Sequence, residues 1–164
     1  MMAYRQLLEL IGDAPGLKVL EVTTHADALS AALAEHVGKC GGELTIAAYP
    51  GAQTPPEPSE HLKYSEIKHF KAPFKAAARD YEVIILNDIL HLHAFREKLL
   101  KHAYQGLENS AILIVLQRKG TLPRTEVETM VEACEYRAVN TIEGLVEGSS
   151  ATVAKKLHMW GNGM

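Results

Sequence analysis

Of 164 residues only two are cysteine, Cys40 and Cys134, and neither stands in a CxxC pair or a zinc-ligand spacing. A disulfide framework is therefore not expected, and a reducing interior such as the cytoplasm is the expected setting, with both thiols as core fillers. Long apolar runs are missing as well. VIIL at 83–86 and AILIVL at 111–116 fall far short of the roughly 20 residues that cross a bilayer. The opening MMAYRQLLELIGD has acids where a leader needs an apolar stretch, so neither secretion nor membrane insertion is expected. Charge of one sign is also scarce. Seventeen Lys and Arg stand against 20 Asp and Glu, mixed along the chain for a net charge of −3, which leaves no footprint for nucleic acid or anionic lipid. The expected partners are a small molecule or another protein.

What is present is a composition of 47% hydrophobic and 23% charged residues, the range of one soluble globular domain over 1–164. Tyr4, Leu7, Leu8 and Ile11 recur at helical spacing before the breaker GDAPG. LKVLEV (17–22) is a short buried strand; Leu29, Leu33 and Val37 mark a helix that closes at GKCGG; ELTIAAY (43–49) is a second strand. Four of the seven prolines fall between 50 and 58, which makes that stretch a loop excursion. KYSEIKHF predicts a third strand and PFKAAARD (73–80) a short helix. YEVIILND and SAILIVLQ are buried strands around the helix AFREKLLKHAYQGL, whose apolar positions are Phe95, Leu99, Leu100, Ala103, Tyr104 and Leu107. Thr125 and Glu128 have capping-box spacing before the stripe Val127, Met130, Val131 and Cys134, and two β-prone runs around GSS predict a closing hairpin. Strands alternating with helices imply a mostly parallel sheet covered on both faces, with ligands at the carboxyl ends of the strands. Those ends are EVTTHAD, AAYPG and LNDILHLH.

The first of them sits in VLEVTTHADAL (19–29), a strand, an acid and a helix start with no glycine between 23 and 27. Asp27 is suited to cap the next helix, where its carboxylate meets free amides and the positive helix end. In NDILHLH, Asp88 and His91 can act as a metal pair or as base and orienter; a metal would need a further ligand such as His25 or His69. The alternative is that Asp88 caps the following helix and the histidines line its first turn. His36, His61, His102 and His158 share no site spacing, and Trp160 covers an edge or meets a partner subunit.

PGLKVLEV, the stretch YEVIILNDILHLHAFREKLLKHAYQGLENSAILIVL and the terminal strand pair together resemble the class I S-adenosylmethionine-dependent methyltransferases over nearly the whole chain. The resemblance implies a Rossmann-like three-layer α/β sandwich whose mostly parallel seven-stranded sheet ends in an antiparallel hairpin. It implies S-adenosylmethionine as cofactor, with Glu21 on the acid that closes the first strand and faces the cofactor's ammonium. Residues 23, 25 and 27 fall on the family's three glycines and are Thr23, His25 and Asp27. A β-carbon there resists positive φ and stands where the methionine end would approach the backbone; β-branched Thr23 fits worst. The acid that holds the ribose is missing from ELTIAAYPG, where Tyr49 stands ready either to stack on a base or to pack the rim, and Lys71 replaces the acid that meets adenine. Of the family's determinants, Glu21 and the Asn87-Asp88 turn survive.

Two functions follow from the resemblance. One is a methyltransferase-like protein with cofactor binding lost or impaired, a non-catalytic binding or assembly module that uses no cofactor. The other is an active small-molecule methyltransferase in which Glu21, Thr23, His25, Asp27, Tyr49 and Asn87 form an atypical cofactor site and Asp88 and His91 act on the acceptor. A third arrangement refits the pocket for another small molecule or a metal through His25, Asp88 and His91, which should share one rim.

Overall fold

The computed structural model describes residues 4–51 and 59–157. Helix α1 (Arg5–Ile11) precedes strand β1 (Lys18–Thr23), helix α2 (Ala28–Lys39), and strands β2 (Glu43–Ala48), β3 (Leu62–Glu66) and β4 (Tyr81–Asn87). Helix α3 (Arg96–Gly106), strand β5 (Leu107–Arg118), helix α4 (Arg124–Ala133) and strands β6 (Arg137–Val146) and β7 (Ser149–Lys155) complete the order. The sheet runs β3-β2-β1-β4-β5-β7-β6. Its first five strands are parallel, and β7 lies antiparallel between β5 and β6. This is the expected seven-stranded sheet with its terminal hairpin. The proline-rich excursion lies largely outside the described residues, as do His158 and Trp160.

Alternation along the central strands sorts their side chains into two cores. Leu20, Val22, Ile84, Leu86, Leu113 and Val115 face α3 and α4, packing with Leu99, Leu100, Val127 and Val131. Val19, Val83, Ile85, Ile114 and Leu116 face α1 and α2, packing with Leu7, Leu29, Leu33 and Val37. Each such side chain, fully buried, contributes about 1.5–3 kcal/mol, so a strand with no polar position on either face has one place in the fold, the sheet centre. Glu21 and Thr23 share the odd-numbered parity of Val19, which turns them toward α2. Where β2 begins, Gly42 passes so close to Leu17 that a β-carbon would lie 2.0 Å from the Leu17 carbonyl oxygen.

Four local expectations are corrected. PFKAAARD is not helical: Phe74 is buried, its carbonyl bonds His102 Nε2, and the amides of Arg79 and Asp80 donate to Gln105 O and Gly106 O at the end of α3. Tertiary bonds thus override the helix propensity of three alanines. Thr125 and Glu128 form no capping box, because α4 starts at Arg124 behind Pro123 and the Glu128 carboxylate accepts from Thr141 Oγ1 instead. Phe95 precedes α3 and is 61% exposed, while the rest of that stripe is at least partly buried. Cys134 is buried as expected, but Cys40 is only partly so.

Histidines outside the site act as tethers. His36 Nε2 bonds Gly12 O at 2.6 Å and His61 Nδ1 bonds Gly42 O at 2.7 Å, each fixing a turn to a neighbouring element. Among the described residues no helix is long and apolar enough to cross a membrane.

Candidate functional site

The parallel strands β1, β2 and β4 deliver their exits side by side, and Glu21 stands just below that rim. Ser30 Oγ, on the first turn of α2, donates to Glu21 Oε1 at 2.6 Å; Asn87 Nδ2, at the end of β4, donates to Oε2 at 2.8 Å. The residue is 0% exposed. Burial pushes its carboxyl up to about 7, against the two hydrogen bonds that pull it down and with a smaller upward push from the charge of Asp27.

The loop above it is bonded to itself. Thr23 is fully buried; its Oγ1 accepts from the amide of His25 at 3.1 Å and donates to the carbonyl of the same residue at 3.0 Å. Thr24 Oγ1 pairs with His25 Nδ1 at 2.9 Å, and His25 Nε2 lies 3.7 Å from Asp27 Oδ2. Asp27 caps α2: its Oδ1 accepts from Leu29 N at 3.0 Å and Ser30 N at 3.4 Å, while its own amide donates to Ser30 Oγ. Ser30 therefore closes the capping box and holds Glu21 at once. The spacing Asp27-x-x-Ser30 carries that signal in the sequence.

The exit of β2 crosses directly over this loop. Tyr49 N donates to Thr23 O at 2.8 Å, and a β-carbon on Gly51 would lie 2.6 Å from Thr24 O. Tyr49 packs inward: it is buried, stacks on Phe70 with centroids 5.0 Å apart and planes 6° from parallel, and donates its hydroxyl to Ala72 O. Burial raises that hydroxyl to about 12. His93 closes the trio, its ring edge-on to Tyr49 at 4.7 Å and to Phe70 at 5.5 Å. One ring from each of the exits of β2, β3 and β4 thus fills the space between them.

Asp88 does not cap the turn that follows. It adopts φ 58°, its Oδ1 accepts from Arg118 N at 3.0 Å, and its Oδ2 lies 3.6 Å from Arg118 Nε, so it ties the end of β4 to the end of β5. The short 3-10 turn Leu90–Leu92 begins without a side-chain cap. His91 Nδ1 is 3.9 Å from Asp88 Oδ1, beyond hydrogen-bond reach, and pairs with Gln117 Nε2 at 3.2 Å. Gln117 and Arg118 carry no signal in the sequence beyond standing at the end of an apolar strand.

A cavity of about 330 Å³ opens beside the loop, lined by His25, Asp27, Asn87, Asp88 and Arg118, with Tyr4 and the β6–β7 turn across it. His25 and Asp88 thus share one cavity, while His91 is not in its wall. Among the described residues no three His, Cys, Asp or Glu side chains are grouped to hold a metal.

At the positions that the resemblance aligns with the family's cofactor site, the side chains are engaged with the protein itself. Glu21 has both oxygens engaged and no exposed surface, β2 ends in Ala48 rather than an acid, and Thr23 fills the first glycine position with a buried hydroxyl.

No protein-family model and no curated protein matches the sequence. The fold does match solved structures. A SAM dependent methyltransferase from Aquifex aeolicus aligns at TM-score 0.69 and 16% identity over 93% of this chain and 89% of that one. An S-adenosylmethionine dependent methyltransferase from Mesorhizobium loti aligns at 0.69 and 10% identity over 93% and 97%. The CurJ carbon methyltransferase aligns at 0.70 and 15% identity over 92% of this chain and 51% of its own, so the present chain spans about half of that protein. A continuous seven-stranded sheet in the order above, matched across more than nine-tenths of its length, gives this chain the fold of the class I S-adenosylmethionine-dependent methyltransferases.

Proposed function

We propose that this chain keeps the methyltransferase scaffold without methyl transfer and serves as a non-catalytic binding or assembly module in the cytoplasm, its partner a small molecule or a protein. The observation that carries the reading is the sealed Glu21: Ser30 and Asn87 take its two oxygens, and the loop over it is bonded through Thr23, His25 and Asp27. A cofactor held through Glu21 competes with Ser30 and Asn87 for its oxygens, and Ser30 is at the same time part of the cap of α2. Loss of such a cap typically costs about 0.5–2 kcal/mol.

The competing reading, an active enzyme with an atypical loop, draws on the polar cavity beside His25 and Asp88. Architecture alone does not decide between them. Calorimetric titration of the purified protein with S-adenosylmethionine and S-adenosylhomocysteine does. The expected result is no heat of binding; saturation in the micromolar range overturns the proposal and supports the enzyme.

A further inference from the structure

Helices α3 and α4 lie side by side on the face of the sheet opposite to Glu21, with Cys134 Sγ at the end of α4 held 3.7 Å from Glu97 O in α3. Because β4 and β5 are parallel, the helices that follow them both start at the carboxyl edge of the sheet and run the same way. Leu99, Leu100 and Ala103 of α3 and Val127 and Val131 of α4 point into the core. The opposite side of each helix faces solvent, and this outer surface has three properties that the fold itself does not use.

The first is an apolar end. Leu92 and Phe95, where α3 begins, are 45% and 61% exposed, the most exposed large hydrophobic side chains among the described residues. At the start of α4 stand the partly buried Leu122 and the exposed Pro123. Apolar surface left in water is the usual mark of a contact site. The second property is opposite charge. The exposed charges of α3 are Glu97, Lys98 and Lys101; those of α4 are Arg124, Glu126 and Glu132. α3 is thus positive and α4 negative, and even the single exception on each helix is of opposite sign. Among the described residues none of the six enters an ion pair. The third is matched spacing. Phe95, Lys98 and Lys101 recur every third residue, as do Pro123, Glu126, Thr129 and Glu132, so each set forms a row along its helix. Lys98 Nζ lies 5.3 Å from the Phe95 ring centroid, which joins the apolar and charged parts of the first row.

We propose that this helical layer is the contact between two copies of the chain. A two-fold axis along the groove between α3 and α4 lays α3 of each copy on α4 of the other, start against start. Phe95 then faces the Leu122-Pro123 turn of the second copy, and Lys98 and Lys101 face Glu126 and Glu132, each contact being made twice. The arrangement with α3 on α3 sets lysine against lysine and α4 on α4 sets glutamate against glutamate. Charge complementarity therefore selects both the occupant and its orientation. The contact goes beyond the reading of the crevice and does not depend on it, since Glu21 and the β1 loop take no part.

The test is sedimentation equilibrium of the full-length protein over a concentration series. Reversible association is expected, limiting at twice the chain mass and weakening as salt is raised. A variant carrying Lys98→Glu with Lys101→Glu, and a second carrying Glu126→Lys with Glu132→Lys, should each self-associate at least about tenfold more weakly, because each sets like charges against one another. An equimolar mixture of the two variants should regain the association as a dimer of one copy of each, since every reversed helix again meets its opposite. All four residues are exposed, so the exchanges spare the core, and thermal unfolding of each variant checks that they do. Phe95→Ser, at an exposed position, should weaken the parent dimer about threefold or more through lost apolar contact; if a charge variant does not fold, this variant and the salt dependence decide the point. A chain that stays monomeric at every concentration, an assembly that limits at another mass, a dimer indifferent to salt and to Phe95→Ser, or a mixture of folded variants that stays monomeric overturns the proposal. Titration with S-adenosylmethionine reads the crevice separately: cofactor binding counts against the non-catalytic module and leaves the dimer standing, whereas a monomer that binds no cofactor counts against this contact alone.

Discussion

Ser30 Oγ lies 2.6 Å from Glu21 Oε1 in a site with no solvent exposure at the acid, and the same hydroxyl accepts the amide of Asp27. One side chain thus couples the helix cap to the one buried acid of the central strands, and the acid's protonation becomes a stability term. Its carboxyl is raised from 4.5 to about 7 on folding. The folded protein therefore holds a proton that the unfolded chain releases between these values. This contribution to stability is fully present below about pH 4.5, falls as pH rises toward 7 and is gone above it, a change on the order of a few kcal/mol.

Glu21→Gln isolates that term. The amide keeps an oxygen for Ser30, and Asn87 can turn its own amide to present an oxygen to the new NH₂. Thermal unfolding at pH 8 should show the variant more stable than the parent, with the difference shrinking toward zero by pH 5. Parallel pH profiles for the two proteins would show that the acid does not titrate in this range.

Asp27 is the cap on which the loop depends. Asp27→Ala removes the acceptor of two amides and should cost about 1 kcal/mol, within the usual 0.5–2 kcal/mol for a cap, while Asp27→Asn should cost much less. Both variants also remove a charge that raises the Glu21 carboxyl, so the pH midpoint just described should move downward in each. Denaturant titration at two pH values measures cap and coupling together; an Asn variant as unstable as the Ala variant would show that the cap is not the cause.

How much of this was legible in the sequence depends on whether the determining contacts are local. β1, β4 and β5 were plain because their runs Val19-Leu20 with Val22, Val83–Leu86 and Ala111–Leu116 put apolar side chains on both faces, which suits a sheet centre. Asp27 was readable as a cap because its partners lie two and three residues on. Phe74 and its alanines were not, because their backbone partners belong to α3, some 25 residues away. Asp88 failed for the same reason: its partner is the amide of Arg118, brought alongside only by β4 pairing with β5. The departure at 23, 25 and 27 from the glycine pattern was visible at once, but the sealing of Glu21 needed Asn87, 66 residues on.

Asp88 combines a left-handed backbone with a side-chain bond to a neighbouring strand, and three substitutions separate the two. Asn keeps the acceptor and tolerates the conformation, so Asp88→Asn should be near neutral. Glycine relieves the backbone and loses the bond; alanine loses the bond and adds a strain of about 1–2 kcal/mol. Stability by chemical denaturation should rank Asn above Gly above Ala, and a Gly variant less stable than Ala would show that φ 58° carries no strain.

Gly51 and Gly38 make a matched pair for the closure of the crevice. A β-carbon on Gly51 would meet Thr24 O at 2.6 Å, main chain against side chain, with Thr24 held by its bond to His25 and the β1 exit held by the Tyr49 amide. Neither strand exit can move without losing a hydrogen bond, so Gly51→Ala should cost about 1–3 kcal/mol, the usual range for overpacking. The β-carbon of Gly38→Ala, inside α2, would meet only His61 Cδ2 at 3.8 Å, an ordinary contact. That change should stabilise by about 0.5–1 kcal/mol through helix propensity. Measured side by side by thermal unfolding, the two alanines should shift the midpoint in opposite directions. If Gly51→Ala is silent while Gly38→Ala stabilises, the β2 exit does not press on the β1 loop in solution, and the crevice over Glu21 is held shut by the capping box alone.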